Sequence, residues 1–323
     1  MASRRSLLNA RPPHPRPALG HCIVAAALLA GCAGSGQSIV MATPSGGETA
    51  SAIAPVTSWT PRVREHLDLW LHGFALLHRD STLVPYFRPG YRDRVMAERR
   101  RLGVSTALDG GAERLRARLV ANPAMVNAQF VALYFESWDE LRRAIDLFLQ
   151  LGGDPRAAGD RRSVEAVATM AAYFPTAADR DWLQEFIGAL DEEREHFFAQ
   201  YWRSEQRRLG PAFDRADALW RDTYRARFST FLHNARQREG ELLVALALAG
   251  EGRTLTGNDR TTTVAVGYPA DTAHAAELVY VLAHEIVGTV ANSVVLDNTS
   301  PAQRRSGESD QWASLAAVLG GAM

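Results

Sequence analysis

The sequence predicts a mainly α-helical protein with a small β-sheet, an α+β chain in which a helical body precedes a strand–strand–helix unit. Three observations predict it. From Thr60 to about Glu239 apolar residues recur at three- and four-residue steps almost without interruption. Two β-rich runs, GELLVALALA and TTTVAVGYP, then flank the polar, glycine-containing stretch EGRTLTGNDR, which reads as a turn. Finally, Leu278, Val281, Leu282, Ile286, Val287, Val290, Val294 and Val295 mark a helix across Ala270–Leu296 with most of its circumference buried.

The start of the chain reads as a leader. Arg4, Arg5, Arg11 and Arg16 are accompanied by no acid, and the apolar run Cys22–Ala30 is too short to span a bilayer. It ends in Leu29-Ala30-Gly31-Cys32, which resembles the lipobox of bacterial lipoproteins. The resemblance implies a signal peptide over 1–31, acylation of Cys32 and membrane attachment through N-terminal acyl chains. Ala33 in place of Asp after the cysteine implies the outer membrane of a two-membrane envelope. Ser3–Leu8 is also similar to part of a twin-arginine export signal, though the proline-rich gap before the apolar run argues against that route. Loss of Cys22 with the leader leaves no cysteine for a disulfide, so the mature fold holds together by packing. Residues 32–58, rich in Gly, Ser, Ala, Thr and Pro, read as a flexible tether.

The helical region, 59–238, opens at Pro61, which suits the first turn of a helix carrying Val63, Leu67, Trp70, Phe74 and Leu77 on one stripe. His66, His72 and His78 lie on it six residues apart, and successive ones point more than a right angle apart; they read as surface or partly buried structural histidines. Two basic amphipathic helices follow, closed by Gly103 and by Asn122-Pro123. Their arginines, between Arg88 and Arg118, read as a solvated face, with anionic lipid headgroups as the functional alternative. Ser137-Trp138-Asp139-Glu140 predicts a capping box, and the next helix ends before Pro175. In the long run that follows, Glu193-Arg194-Glu195-His196 has the Glu-x-x-His spacing of a di-iron bundle once. No second copy accompanies it, so it reads as a solvated face. Gly210-Pro211 is expected to break this run.

Composition excludes several functions. With 36 basic and 36 acidic residues the chain has no polycationic signature, and nucleic acid is not an expected partner. All 36 basic residues are arginine, which excludes a catalytic lysine and a Walker-type phosphate loop.

The remaining chemistry lies in 239–323. An imidazole and a carboxylate, His284 and Glu285, stand in the middle of an apolar helix, where they are costly unless satisfied. The motif His284-Glu285-Ile286-Val287-Gly288, the two preceding β-rich runs and Glu308, 24 residues beyond His284, together resemble the gluzincin metallopeptidases. In an HExxH helix two histidines one turn apart bind zinc and the glutamate is the general base. The resemblance therefore implies a zinc-dependent peptidase with His284 and Glu308 as metal ligands, Glu285 as catalytic base and a peptide or protein substrate. Gly288 replaces the second histidine, so either a distant residue such as His233 or His274 supplies the third ligand, or the frame persists without metal. A purely structural reading pairs His284 and Glu285 with Arg304, Arg305 or Asp297. The competing class is a non-catalytic helical lipoprotein that binds or scaffolds at the cell envelope.

Overall fold

The computed structural model describes residues 59–78, 86–235, 237, 239–250, 252–256, 261–307, 309, 311, 312 and 315. Residues 1–58, with the run that resembles a lipobox and the stretch read as a tether, lie outside the described residues. The architecture is helical with a four-stranded mixed sheet, as the periodicities predict.

Residues 61 and 62 do not start a helix. They form strand β1 (Pro61–Arg62), and helix α1 begins at Glu65 and runs to Leu77. Just upstream, the Trp59 indole donates to the Gln237 carbonyl at 2.9 Å, fastening the beginning of the body to the approach to the sheet. The predicted stripe on α1 is real, yet the opposite face carries Leu69, Leu71 and Leu76, and every residue from His66 to Leu77 is buried. A helix buried on all sides belongs at the centre of a domain. Burial of Leu67, Trp70 and Phe74 contributes roughly 1.5–3 kcal/mol each.

Helices α2 (Tyr91–Leu102) and α3 (Ala107–Ala121) follow, then a 3₁₀ segment over Pro123–Tyr134, α4 (Trp138–Gln150) and α5 (Arg161–Tyr173). Gly103, at φ 67°, closes α2 as expected. Half of the predicted box at α4 forms. Ser137 accepts from the Glu140 amide at 3.2 Å, but Glu140 reaches the Glu136 amide instead of the capping residue.

Helix α6 (Ala177–Glu193), a π-turn at Arg194–Phe198, α7 (Ala199–Leu219), a second π-turn at Trp220–Tyr224 and α8 (Arg225–Asn234) continue one from another. The expected break at Gly210-Pro211 does not occur, because α7 passes through Pro211. Proline there forfeits one backbone bond at a cost of about 3 kcal/mol. The buried Leu209, Ala212 and Ala216 offset that cost against neighbouring elements.

The sheet has the order β1, β2 (Gly240–Ala245), β4 (Thr262–Gly267), β3 (Arg253–Thr256). Strands β1, β2 and β4 are parallel, with Leu242 beside Val264, and β3 runs antiparallel to β4. The stretch read as a turn thus contains a strand, Arg253-Thr254-Leu255-Thr256. Parallel neighbours cannot be joined by a tight hairpin; the return path from β2 is used to build β3, which lies at one edge of the sheet among the described residues. Val264, Ala265 and Val266 are all buried, so β4 is covered on both faces and does not alternate.

Helix α9 (Ala275–Asn298) packs against β4, β3 and α7. Leu278, Val279, Leu282, Ala283 and Ile286 are buried, whereas Tyr280 and Val294 are exposed. Only 31% of its most apolar 18-residue window is buried, so the expected burial of most of its circumference fails. Among the described residues, α9 is the one helix long and apolar enough to cross a membrane by length and composition. A short helix, α10 (Pro301–Ser306), is capped by Ser300. The buried apolar side chains of helices and sheet form one cluster from Trp59 to Ile286.

Candidate functional site

The packing of α9 on the sheet sets where His284 and Glu285 point. Leu278, Leu282 and Ile286 recur on the buried side of α9, and Glu285, next to Ile286, is carried toward β3. Its Oε2 accepts a hydrogen bond from the Thr254 hydroxyl at 2.8 Å. The carboxylate stem lies across Gly252: a Cβ there would stand 2.7 Å from Glu285 Cγ and 3.0 Å from the Ala265 carbonyl oxygen. A side chain at position 252 is therefore incompatible with this placement of Glu285. His284 sits beside it, its Nδ1 3.5 Å from Glu285 Oε1, and its side chain retains 30% exposure against 15% for Glu285. The structure brings the two together, and the partner found for Glu285 is Thr254, on a strand the sequence disguised as a turn.

Among the described residues, His274 and His233 form no metal-holding group with them. Glu308 lies outside the described residues. His274 is the residue before α9, ten positions or about 15 Å along the axis from His284, and its Nδ1 bonds Asp271 at 2.8 Å. That contact raises the His274 pKa. His233 is at the end of α8. Among the described residues no three His, Cys, Asp or Glu side chains form a group that could hold a metal ion, and Glu308 is not one of those residues.

A second polar cluster is far better built. His72 of α1, Arg99 of α2, Thr106 before α3 and Glu193 at the end of α6 meet in the core, all buried. His72 Nε2 lies 2.9 Å from Glu193 Oε1, and its Nδ1 lies 2.9 Å from the Tyr91 hydroxyl. Arg99 donates to Glu193 Oε2 through Nη2 and to Asp109 Oδ1 through Nη1, the latter at 2.5 Å. The Thr106 hydroxyl donates to Glu193 Oε2 at 2.6 Å. Burial alone would raise the Glu193 carboxyl, but the His72 hydrogen bond, the Arg99 charge and the Thr106 hydroxyl hold it below its usual value. Burial lowers the His72 pKa. An ionised Glu193 then accepts from a neutral imidazole protonated on Nε2, and Nδ1 accepts from Tyr91.

Sequence reasoning misplaced both ends of this cluster. Glu193 is completely buried, not on a solvated face, and His72 is as buried as its apolar neighbours, as His66 also is. The signal for Glu193 was present: Phe186, Leu190, Glu193 and Phe197 step by four, three and four residues, so the carboxylate lies on the apolar stripe. His196, the other half of the Glu-x-x-His spacing, is exposed. With no surface opening at His72 or Glu193, the cluster joins helices and cannot meet a substrate.

Asp68 is a third buried acid. Its Oδ1 accepts from the Leu246 amide at 2.6 Å and its Oδ2 from the Trp202 indole at 2.7 Å, which locks α1 to the end of β2 and to α7. Burial pushes its pKa up to about 7 despite those two donors. Comparisons of this chain with protein-family models, with curated proteins and with solved structures found no match.

Proposed function

We propose that this chain is a lipid-anchored protein of the bacterial cell envelope, carrying a metallopeptidase-like strand-and-helix frame that binds polypeptide without cleaving it. Leu29-Ala30-Gly31-Cys32 supports the anchor, and the tether over 32–58 gives the body reach from an outer-membrane surface. The observation that carries the binding reading is the environment of Glu285. Its carboxylate is held by Thr254 and packed over Gly252, while Gly288 stands one turn beyond His284, where a second imidazole would complete a zinc site. Strand β3, beside that carboxylate, is an edge of the sheet among the described residues, and a free edge is where an extended chain adds by backbone hydrogen bonds.

The second reading is an active zinc peptidase with His284 and Glu308 as ligands and Glu285 as base. The adjacency of His284 and Glu285 near the same edge favours it. Metal analysis of the full mature chain, purified in detergent, separates the two. The binding reading expects no stoichiometric zinc and no hydrolysis of unfolded casein, in the wild type and in His284→Ala alike. About one equivalent of zinc, lost in His284→Ala together with casein hydrolysis, overturns it.

A further inference from the structure

A cleft of about 680 Å³ opens between α2 and α7, on residues the preceding reading does not use. Arg88, Arg94 and Arg101 line one side, and Arg207 and Arg208 the other. Glu98 and Glu205 are the acids in its lining, so five cations face two anions and the cleft carries a net charge of +3 within a chain of zero formal charge. Each acid is already engaged. Arg101 bonds Glu98 at 2.6 Å and Arg208 bonds Glu205 at 2.6 Å. Among the described residues Arg88, Arg94 and Arg207 have no carboxylate partner.

Arg88 is the built part of this cleft. Its amide donates to the Ala247 carbonyl at 2.7 Å, and Phe87 forms an antiparallel bridge with Leu248, so the backbone at 87–88 is tied to the segment leaving β2. One guanidinium nitrogen donates to the Tyr268 carbonyl, and Nε is buried with no hydrogen-bond partner among the described residues. Burial, with Arg94 and Arg208 close by, lowers the Arg88 pKa, the mark of a cation crowded by like charge. An anion in the cleft relieves that repulsion.

We infer that the cleft between α2 and α7 binds a phosphomonoester, gripped by Arg88, Arg94 and Arg207. A phosphomonoester is largely dianionic near neutral pH and offers three acceptor oxygens, which suits several converging guanidinium forks better than one carboxylate does. The volume is that of a small-molecule site and accommodates a lipid headgroup or a soluble sugar phosphate. This inference does not depend on the His284-Glu285 reading.

Calorimetric titration of the full mature chain in non-ionic detergent tests it, with inorganic phosphate, a soluble sugar phosphate and dihexanoyl phosphatidate as probes. Saturable binding of phosphate or of either ester supports the inference. The source is a lipid headgroup if phosphatidate binds more tightly than the sugar phosphate, and a soluble ester if the order is reversed. The double variant Arg94→Gln, Arg207→Gln changes two exposed side chains, so it keeps the wild-type thermal transition and is expected to weaken binding about tenfold or more. Unchanged affinity in that variant, equal affinity for succinate, or no binding of any phosphate probe overturns the inference.

Discussion

His72 Nε2 and Glu193 Oε1 lie 2.9 Å apart with no exposure of either side chain, joining the central helix to the end of α6. Arg99 and Thr106 take the second carboxylate oxygen, so one acid ties together α1, α2, the start of α3 and α6. Removing that charge takes one of two carboxylates from the buried Arg99 guanidinium and leaves it Asp109. Glu193→Gln is expected to cost about 3–5 kcal/mol in urea unfolding, and Glu193→Gln with Arg99→Met to recover part of the loss, because a buried charge that has lost a partner costs more than an apolar replacement. A double variant no more stable than Glu193→Gln alone would refute the idea that charge compensation sets this energy.

The pH dependence of stability has two opposed parts. Burial lowers the His72 pKa, so as pH falls below about 6.5 the unfolded chain takes up a proton that the folded one refuses, and stability is lost. His66 and His78, also lowered by burial, act in the same sense. Asp68 acts oppositely: with its folded pKa at about 7 against an ordinary 3.8, its stabilising contribution is complete at low pH and is lost as pH rises through about 7.

Asp68→Asn removes the Asp68 part and leaves the histidine part in place. Its stability is expected to climb more steeply than the wild type's between about pH 5 and pH 8, measured by urea midpoints. The variant also loses about 1–3 kcal/mol near pH 5, because its amide NH₂ must face either the Leu246 amide or the Trp202 indole, both donors. Parallel pH curves for the two proteins would show that Asp68 does not titrate in this window.

Gly252→Ala places a methyl 2.7 Å from Glu285 Cγ. The expected cost is about 1–3 kcal/mol of stability. Combined with Glu285→Ala the two losses are expected to fall short of additivity by about 0.5 kcal/mol or more, since the clash partner is gone. Strict additivity in thermal melts would mean that Glu285 does not rest on Gly252 in solution.

The helical body and the small sheet were legible because their periods repeat over many residues. Local decisions were not. Thr254-Leu255-Thr256 sits between glycines and charges, and its strand character depends on β4 being alongside, which no window of sequence contains. Pro211 ordinarily ends a helix, and here packing of Leu209, Ala212 and Ala216 outweighs the lost bond. Glu193 was hidden by chemistry: among Glu192, Glu195 and His196 it looks like one more solvated acid, although its step from Leu190 puts it inside. Of the candidate site, the adjacency of His284 and Glu285 was readable, and Thr254 was lost with the strand that bears it.

The two π-turns in the rod from Ala177 to Asn234 have a geometric effect of their own. Each inserts one residue, which advances everything downstream by about 100° around the axis. Before the first insertion the inward stripe of Trp182, Phe186 and Leu190 serves α1 and α3; after it, Leu209, Ala212 and Ala216 are turned inward again on the stretch that packs on α9. A single unbroken rod can in this way close two differently oriented layers, with the Arg-lined cleft left between its middle and α2.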